Sequence, residues 1–171
     1  ISLNGVEHLD ALVAQGRGAL LAGAHLGSFE VLRALGEDRR GLKVAMLMFE
    51  DNARQINATL RAIAPDTPLK IIALGRLEAM LEMRNWMDEG GVAGLLADRT
   101  LRGVASQRGG VQRLDFLGAP ADFSDGPFRL ALMLRRPVLF MAGLYHGGNH
   151  YELRFVPVAD FSQRPASAEA A

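Results

Sequence analysis

His25 and Glu30 are an imidazole and a carboxylate five residues apart, standing where an apolar run gives way to a helical pattern: Gly18-Ala-Leu-Leu-Ala-Gly-Ala-His25-Leu-Gly-Ser-Phe-Glu30-Val-Leu-Arg-Ala-Leu-Gly36. Such a pair can do general acid–base chemistry. The carboxylate holds one ring nitrogen, fixes the tautomer and stabilises the imidazolium, while the other nitrogen takes a proton from a hydroxyl. No covalent intermediate is needed. The chain has no cysteine and no Gly-x-Ser-x-Gly elbow, so a nucleophilic hydrolase has no evident nucleophile. Ser28 lies inside the motif and reads first as the N-cap of the helix that follows. The plainer alternative for the pair is a satisfied histidine at a sheet edge and a solvated glutamate at a helix start.

The flanking elements decide where such a pair would sit. Ala19 to Ala24 is short, apolar and followed by Gly27, as a buried strand would be, and Phe29, Val31, Leu32 and Leu35 then recur at helical spacing. His25 therefore falls at the carboxyl end of a strand, the end where open α/β sheets bind ligands, and Gly27 lets a substrate approach the backbone closely.

Further along, helical and strand patterns alternate without an internal repeat. Helices are expected over Val6 to Gln15, Asn52 to Ile63, Leu77 to Glu89 and Pro127 to Leu134. Strands are expected over Leu42 to Phe49, Leu69 to Leu74, Val92 to Ala97 and Gln112 to Leu117. Arg102 to Gly110 reads as a polar loop. Val138 to Tyr145 and Tyr151 to Val158 form a hairpin across Gly147-Gly148-Asn149. The fold class is a single α/β domain, with a mostly parallel central sheet, helices on both faces and an antiparallel edge hairpin. Residues 1–160 make the core, and 161–171 read as a disordered tail by composition.

Other residues carry two readings each. Asp98 and Arg99 end a strand on the same rim as His25, where Arg99 can hold a phosphate or carboxylate; the alternative is an ion pair in a loop. Gly126 opens a helix whose free N–H groups suit a phosphate or an oxyanion, unless Ser124 or Asp125 simply caps it. Arg54 and Arg61 share one expected helix and can line a phosphate path or a solvated face. Arg135 and Arg136 complement a helix dipole. His146 and His150 flank the hairpin turn, where exposed turn residues are a better reading than zinc ligands. Met46, Met48, Met80, Met83, Met87 and Met133 fit a core or an apolar ligand groove equally.

Composition sets outer bounds. With 171 residues and 49% hydrophobic content, one domain with a sizeable core is expected. Lysine plus arginine number 19 and aspartate plus glutamate 19, so no overall field draws the chain toward nucleic acid. Zero cysteines remove a disulfide framework and thiolate metal sites. No apolar run reaches the roughly 18 residues of a membrane helix, so membrane contact would be peripheral or made by a helix outside these residues.

Three segments together carry a family resemblance. Ala24-His25-Leu-Gly-Ser-Phe-Glu30 after an apolar strand resembles the His-x4-Asp/Glu motif of the glycerolipid acyltransferase superfamily, in the form of its lipid A late acyltransferase branch. Gly90-Gly-Val-Ala-Gly-Leu-Leu-Ala-Asp98-Arg99 resembles that branch's strand ending in aspartate. Leu114-Asp-Phe-Leu-Gly118-Ala-Pro-Ala121 with Gly126-Pro127 resembles its Phe-Phe-Gly-x-x-Ala…Gly-Pro segment. Arg99 departs from the glutamine or histidine usual there, and the family's N-terminal membrane helix and aromatic C-terminal segment are missing.

The resemblance implies transfer of a fatty acyl group from an acyl carrier protein or coenzyme A thioester to a hydroxyl of a membrane lipid or glycolipid, at the cytoplasmic face of the bacterial inner membrane. His25 would be the base and Glu30 its orienting partner. Gly27, Asp98, Arg99, Gly126 and Arg54 would contact substrate, with no cofactor and no metal. A hydrolase, or a non-catalytic lipid- or nucleotide-binding module, is the alternative class. The dinucleotide branch is weakened because Gly16-Arg-Gly18 precedes its strand instead of following it.

Overall fold

The computed structural model describes residues 1–27, 42–49, 54, 70–99 and 110–162. Its elements in chain order are β1 (Ser2–Asn4), α1 (Val6–Ala14), β2 (Ala19–Gly27), β3 (Val44–Phe49), β4 (Lys70–Leu74), α2 (Leu77–Asp88), β5 (Val92–Leu96), β6 (Val111–Phe116), β7 (Ala119–Ser124), α3 (Gly126–Leu134), β8 (Pro137–Tyr145) and β9 (Tyr151–Asp160). The helical pattern of Phe29 to Leu35, the expected helix over Asn52–Ile63 and the loop over Arg102–Gly110 lie outside the described residues, apart from Arg54 and Gly110.

Seven strands form one sheet in the order β1-β9-β8-β2-β5-β3-β4. β8, β2, β5, β3 and β4 run parallel. β9 returns antiparallel to β8, as the glycine-bearing turn requires, and the three-residue β1 lies parallel to β9 at the outer edge. So short a strand leaves no periodicity to read, and the sequence does not disclose it.

The central strands are apolar on both sides because both sides are covered. Leu20 and Ala22 of β2 point to one face, where Ala79, Met83 and Met87 of α2 and Ala131 of α3 pack with Ile72 and Val138. Ala19 and Leu21 point to the other, against Leu9 of α1 with Met141, Leu153 and Phe155. Met83 and Met87 are thus core, as is Met46, and Met80 packs against that core from its edge. α2 buries Ala79, Met83 and Met87 at a four-residue spacing and stops at Gly90, whose φ of 80° is open to glycine at little cost.

A second, two-stranded sheet pairs β6 with β7. The sequence reading gives β6 but no strand over Ala119–Ser124. The turn between them, Leu117-Gly118, has φ of 53° and 83°, the double positive signature of a two-residue hairpin turn. Leucine in the first of those positions carries none of the Asn-Gly signal by which such turns are recognised.

Candidate active site

His25 and Asp98 meet because β2 and β5 are neighbours. Their register pairs Gly23 with Leu96, and the Ala97 N–H donates to the Gly23 carbonyl at 2.8 Å beyond it, which brings residues 25 and 98 level. On its other side β2 breaks step with β8. Gly23 pairs with Met141 and Gly27 with Gly143, four steps along one strand against two along the other. Such a bulge re-aims side chains at a strand end, and His25 lies within it.

The His25 Nδ1 stands 2.9 and 3.1 Å from the two Asp98 carboxylate oxygens, and the His25 backbone N–H donates to Oδ2 at 3.2 Å. Burial pushes the Asp98 carboxyl up, but the hydrogen bonds from the His25 ring and backbone outweigh it and hold the pKa below the ordinary 3.8. An ionised carboxylate can only accept, so Nδ1 carries the proton and Nε2 of the neutral ring keeps its lone pair. The His25 side chain is 42% exposed and Asp98 29%, so the pair is open to a reactant.

A depressed carboxylate adds stability above its unfolded pKa and loses it as pH falls through the folded value. The Asp98 contribution is therefore complete above about pH 4 and lost below. Removing the ring weakens the lowering side: in His25→Ala, burial and the backbone hydrogen bonds remain while the ring bond is gone, so the Asp98 pKa rises. Carbon-detected NMR titration of Asp98 in both proteins measures this, and an unchanged value would show that the ring does not hold the carboxylate.

Beside the pair lies a cavity of about 690 Å³ on the α2–α3 face of the sheet. Ala22 to Leu26 and Ala97 form one wall; Phe116 and Phe123 of the small sheet, Phe128 of α3 and Phe140 of β8 form others. Phe116 and Phe123 meet edge to face with centroids 5.6 Å apart. The volume lies within the range of sites for small ligands, and among the described residues the ionisable side chains on its lining are His25, Asp98 and Asp122. No methionine lines it, so phenylalanine and alanine take the place that the sequence left open to methionine. These four phenylalanines come from four elements, and nothing in their spacing announces that they converge.

The remaining candidates fall in different places. Glu30, Ser28 and Arg61 lie outside the described residues. Gly27 ends β2, and Arg99 is exposed directly after Asp98, with no partner among the described residues. Arg54 is helical and exposed. The Gly126 N–H donates to Ser124 Oγ at 3.2 Å, while Asp125 pairs with Arg129 at 2.8 Å, so the start of α3 is capped by its own chain. His146 bonds Glu152 at 3.0 Å and His150 meets Ser2 at 3.3 Å, both exposed at the hairpin turn. Among the described residues no three histidine, cysteine or acidic side chains are grouped to hold a metal ion.

Fold and site define an α/β domain with a histidine–carboxylate pair at the carboxyl ends of its central strands, beside an apolar cavity. The family model described as bacterial lipid A biosynthesis acyltransferase matches residues 1–171, and the chain belongs to that family. Membership makes it an enzyme of the acyltransferase class and implies association with a bacterial membrane. A comparison with curated proteins gave no match. Among the described residues no helix is long and apolar enough to cross a membrane.

Proposed function

We infer that this core, residues 1–160, transfers a fatty acyl group from an acyl carrier protein or coenzyme A thioester to a hydroxyl of a membrane glycolipid, at the cytoplasmic face of the inner membrane. The observation that supports this is a histidine with one nitrogen held by an ionised carboxylate, on the wall of an apolar cavity. The acceptor hydroxyl gives its proton to His25 Nε2 as its oxygen attacks the thioester carbonyl. The tetrahedral adduct then expels the thiolate, which recovers the proton from Nε2. Asp98 holds Nδ1–H and stabilises the imidazolium between the two steps. Glu30 keeps in this proposal the orienting share that the family motif gives it. Arg99, next in the chain to Asp98, meets an anionic group of donor or acceptor, and Gly27 and Arg54 are further substrate contacts; Gly126, whose N–H is taken by Ser124, is not one.

The cavity takes the acyl tail. Each buried methylene is worth about 0.8 kcal/mol, so cavity length sets chain preference more strongly than a polar contact does. Ala121, on the cavity wall, is the position for a test. Ala121→Leu is expected to move the preferred donor to shorter chains, by roughly fourfold in relative rate per methylene excluded, in a competition assay with thioesters of graded length. Equal loss at every length would show that the tail lies elsewhere.

A further inference from the structure

A second cavity of about 690 Å³ opens between α2 and α3. Its walls are apolar along Met80 and Leu81 of α2 and Met133 and Leu134 of α3, and among the described residues its charged ones are Arg84, Arg135, Arg136 and Asp88. α2 ends at Asp88 shortly before β5 begins, and Arg136 immediately precedes β8. The charged end therefore lies by the amino ends of the strands, whereas His25 lies at the carboxyl ends. The two cavities are separate.

Two features of the lining call for an anion. The described lining carries three arginines and one carboxylate: Arg136 Nη2 donates to Asp88, Arg84 stands 3.8 Å from the same side chain, and Arg135 lines the groove beside them. The Arg136 side chain is only 15% exposed, and its Nε–H is buried with no acceptor among the described residues. A buried charged donor left unpaired is costly, and an anion in the groove would offset the excess positive charge at this end. The helix surfaces beside the groove are apolar where solvent-facing helices are usually polar: Leu77 is 79% exposed, Leu81 60%, Leu132 57% and Met133 66%.

We propose that this groove binds an anionic phospholipid of the membrane on which the enzyme works. The phosphate meets Arg84 and Arg135 beside the Arg136–Asp88 pair, and the acyl chain runs along Met80, Leu81, Met133 and Leu134. The volume suits a headgroup with the first part of its chains, and the exposed leucines continue the apolar path into a bilayer. The proposal rests on the reading of the chain as a membrane-lipid acyltransferase, but it uses none of the residues of the catalytic pair.

The test is co-sedimentation of the 171-residue chain with vesicles of phosphatidylcholine alone or mixed with phosphatidylglycerol. Binding is expected for the mixed vesicles and to fall with added salt. Arg84→Gln combined with Arg135→Asn should weaken it about 25-fold, near fivefold for each basic residue withdrawn from an anionic surface. Asparagine tolerates the left-handed backbone of Arg135, whose φ is 52°, so this variant keeps its fold. Leu81→Ser, at an exposed position, should weaken vesicle binding while leaving thermal stability intact.

Equal binding to both vesicle types, or unchanged binding by the double variant, would overturn the proposal. So would saturable binding of inorganic phosphate by the chain without vesicle binding, or capture of an acidic amphipathic peptide in place of vesicles. Acyl transfer in detergent micelles should be unchanged in the double variant. A failure of the catalytic reading shows in that assay with His25→Ala and leaves the vesicle result readable.

Discussion

Replacing His25 by alanine is expected to lower acyl transfer by about 10²–10⁴-fold, the range that a positioned general base contributes. The thermal midpoint should move little, because the ring is substantially exposed and its loss leaves no core cavity. The Asp98 carboxylate loses one hydrogen bond but keeps access to water. The loss should fall on kcat with KM nearly unchanged, since the base acts in the transition state and not in substrate binding. Steady-state kinetics of both proteins with one thioester donor decide it. Activity near that of the parent would remove His25 from the mechanism.

Asp98→Asn is the more discriminating substitution, with an expected fall in kcat of at least about 10²-fold. The side chains are nearly equal in size, so packing is kept, but asparagine brings two changes. It has no charge to stabilise the imidazolium. Its amide can also turn its NH₂ toward Nδ1, which then becomes the acceptor and moves the ring proton to Nε2, where the base must be empty. Nitrogen NMR of the His25 ring reports that tautomer directly, a readout that a purely structural role for Asp98 would not move. Glu30→Gln should act in the same direction and more mildly. If Asp98→Asn lowers stability but leaves kcat and the tautomer alone, Asp98 only ties β5 to β2.

Much of this was legible in the chain because the physics is local. A strand buried on both faces must be apolar throughout, so Ala19–Ala24, Val92–Ala97 and Val138–Tyr145 announced themselves as strands. Helices show their buried stripe and their stops, as α2 does through Met83, Met87 and Gly90. A histidine and an aspartate that each close an apolar run belong to the carboxyl ends of strands, and both stood out for that reason. The family followed from the segments around His25 and Asp98 together with Leu114–Pro127, and it holds over the whole chain.

Tertiary structure decided what depends on strand order. The spacing of the motif points from His25 to Glu30, and nothing local tells that β5, remote in sequence, inserts between β2 and β3 and sets Asp98 against the ring. The bulge in β2 is likewise a relation between two strands and has no signature in one. The hairpin of β6 and β7 was hidden by a leucine in a turn position that favours asparagine or glycine. The phenylalanine cavity, and the arginine-ended groove between α2 and α3, join residues from elements far apart in the chain. Periodicity specifies which side of an element is buried; only packing specifies which other element it meets.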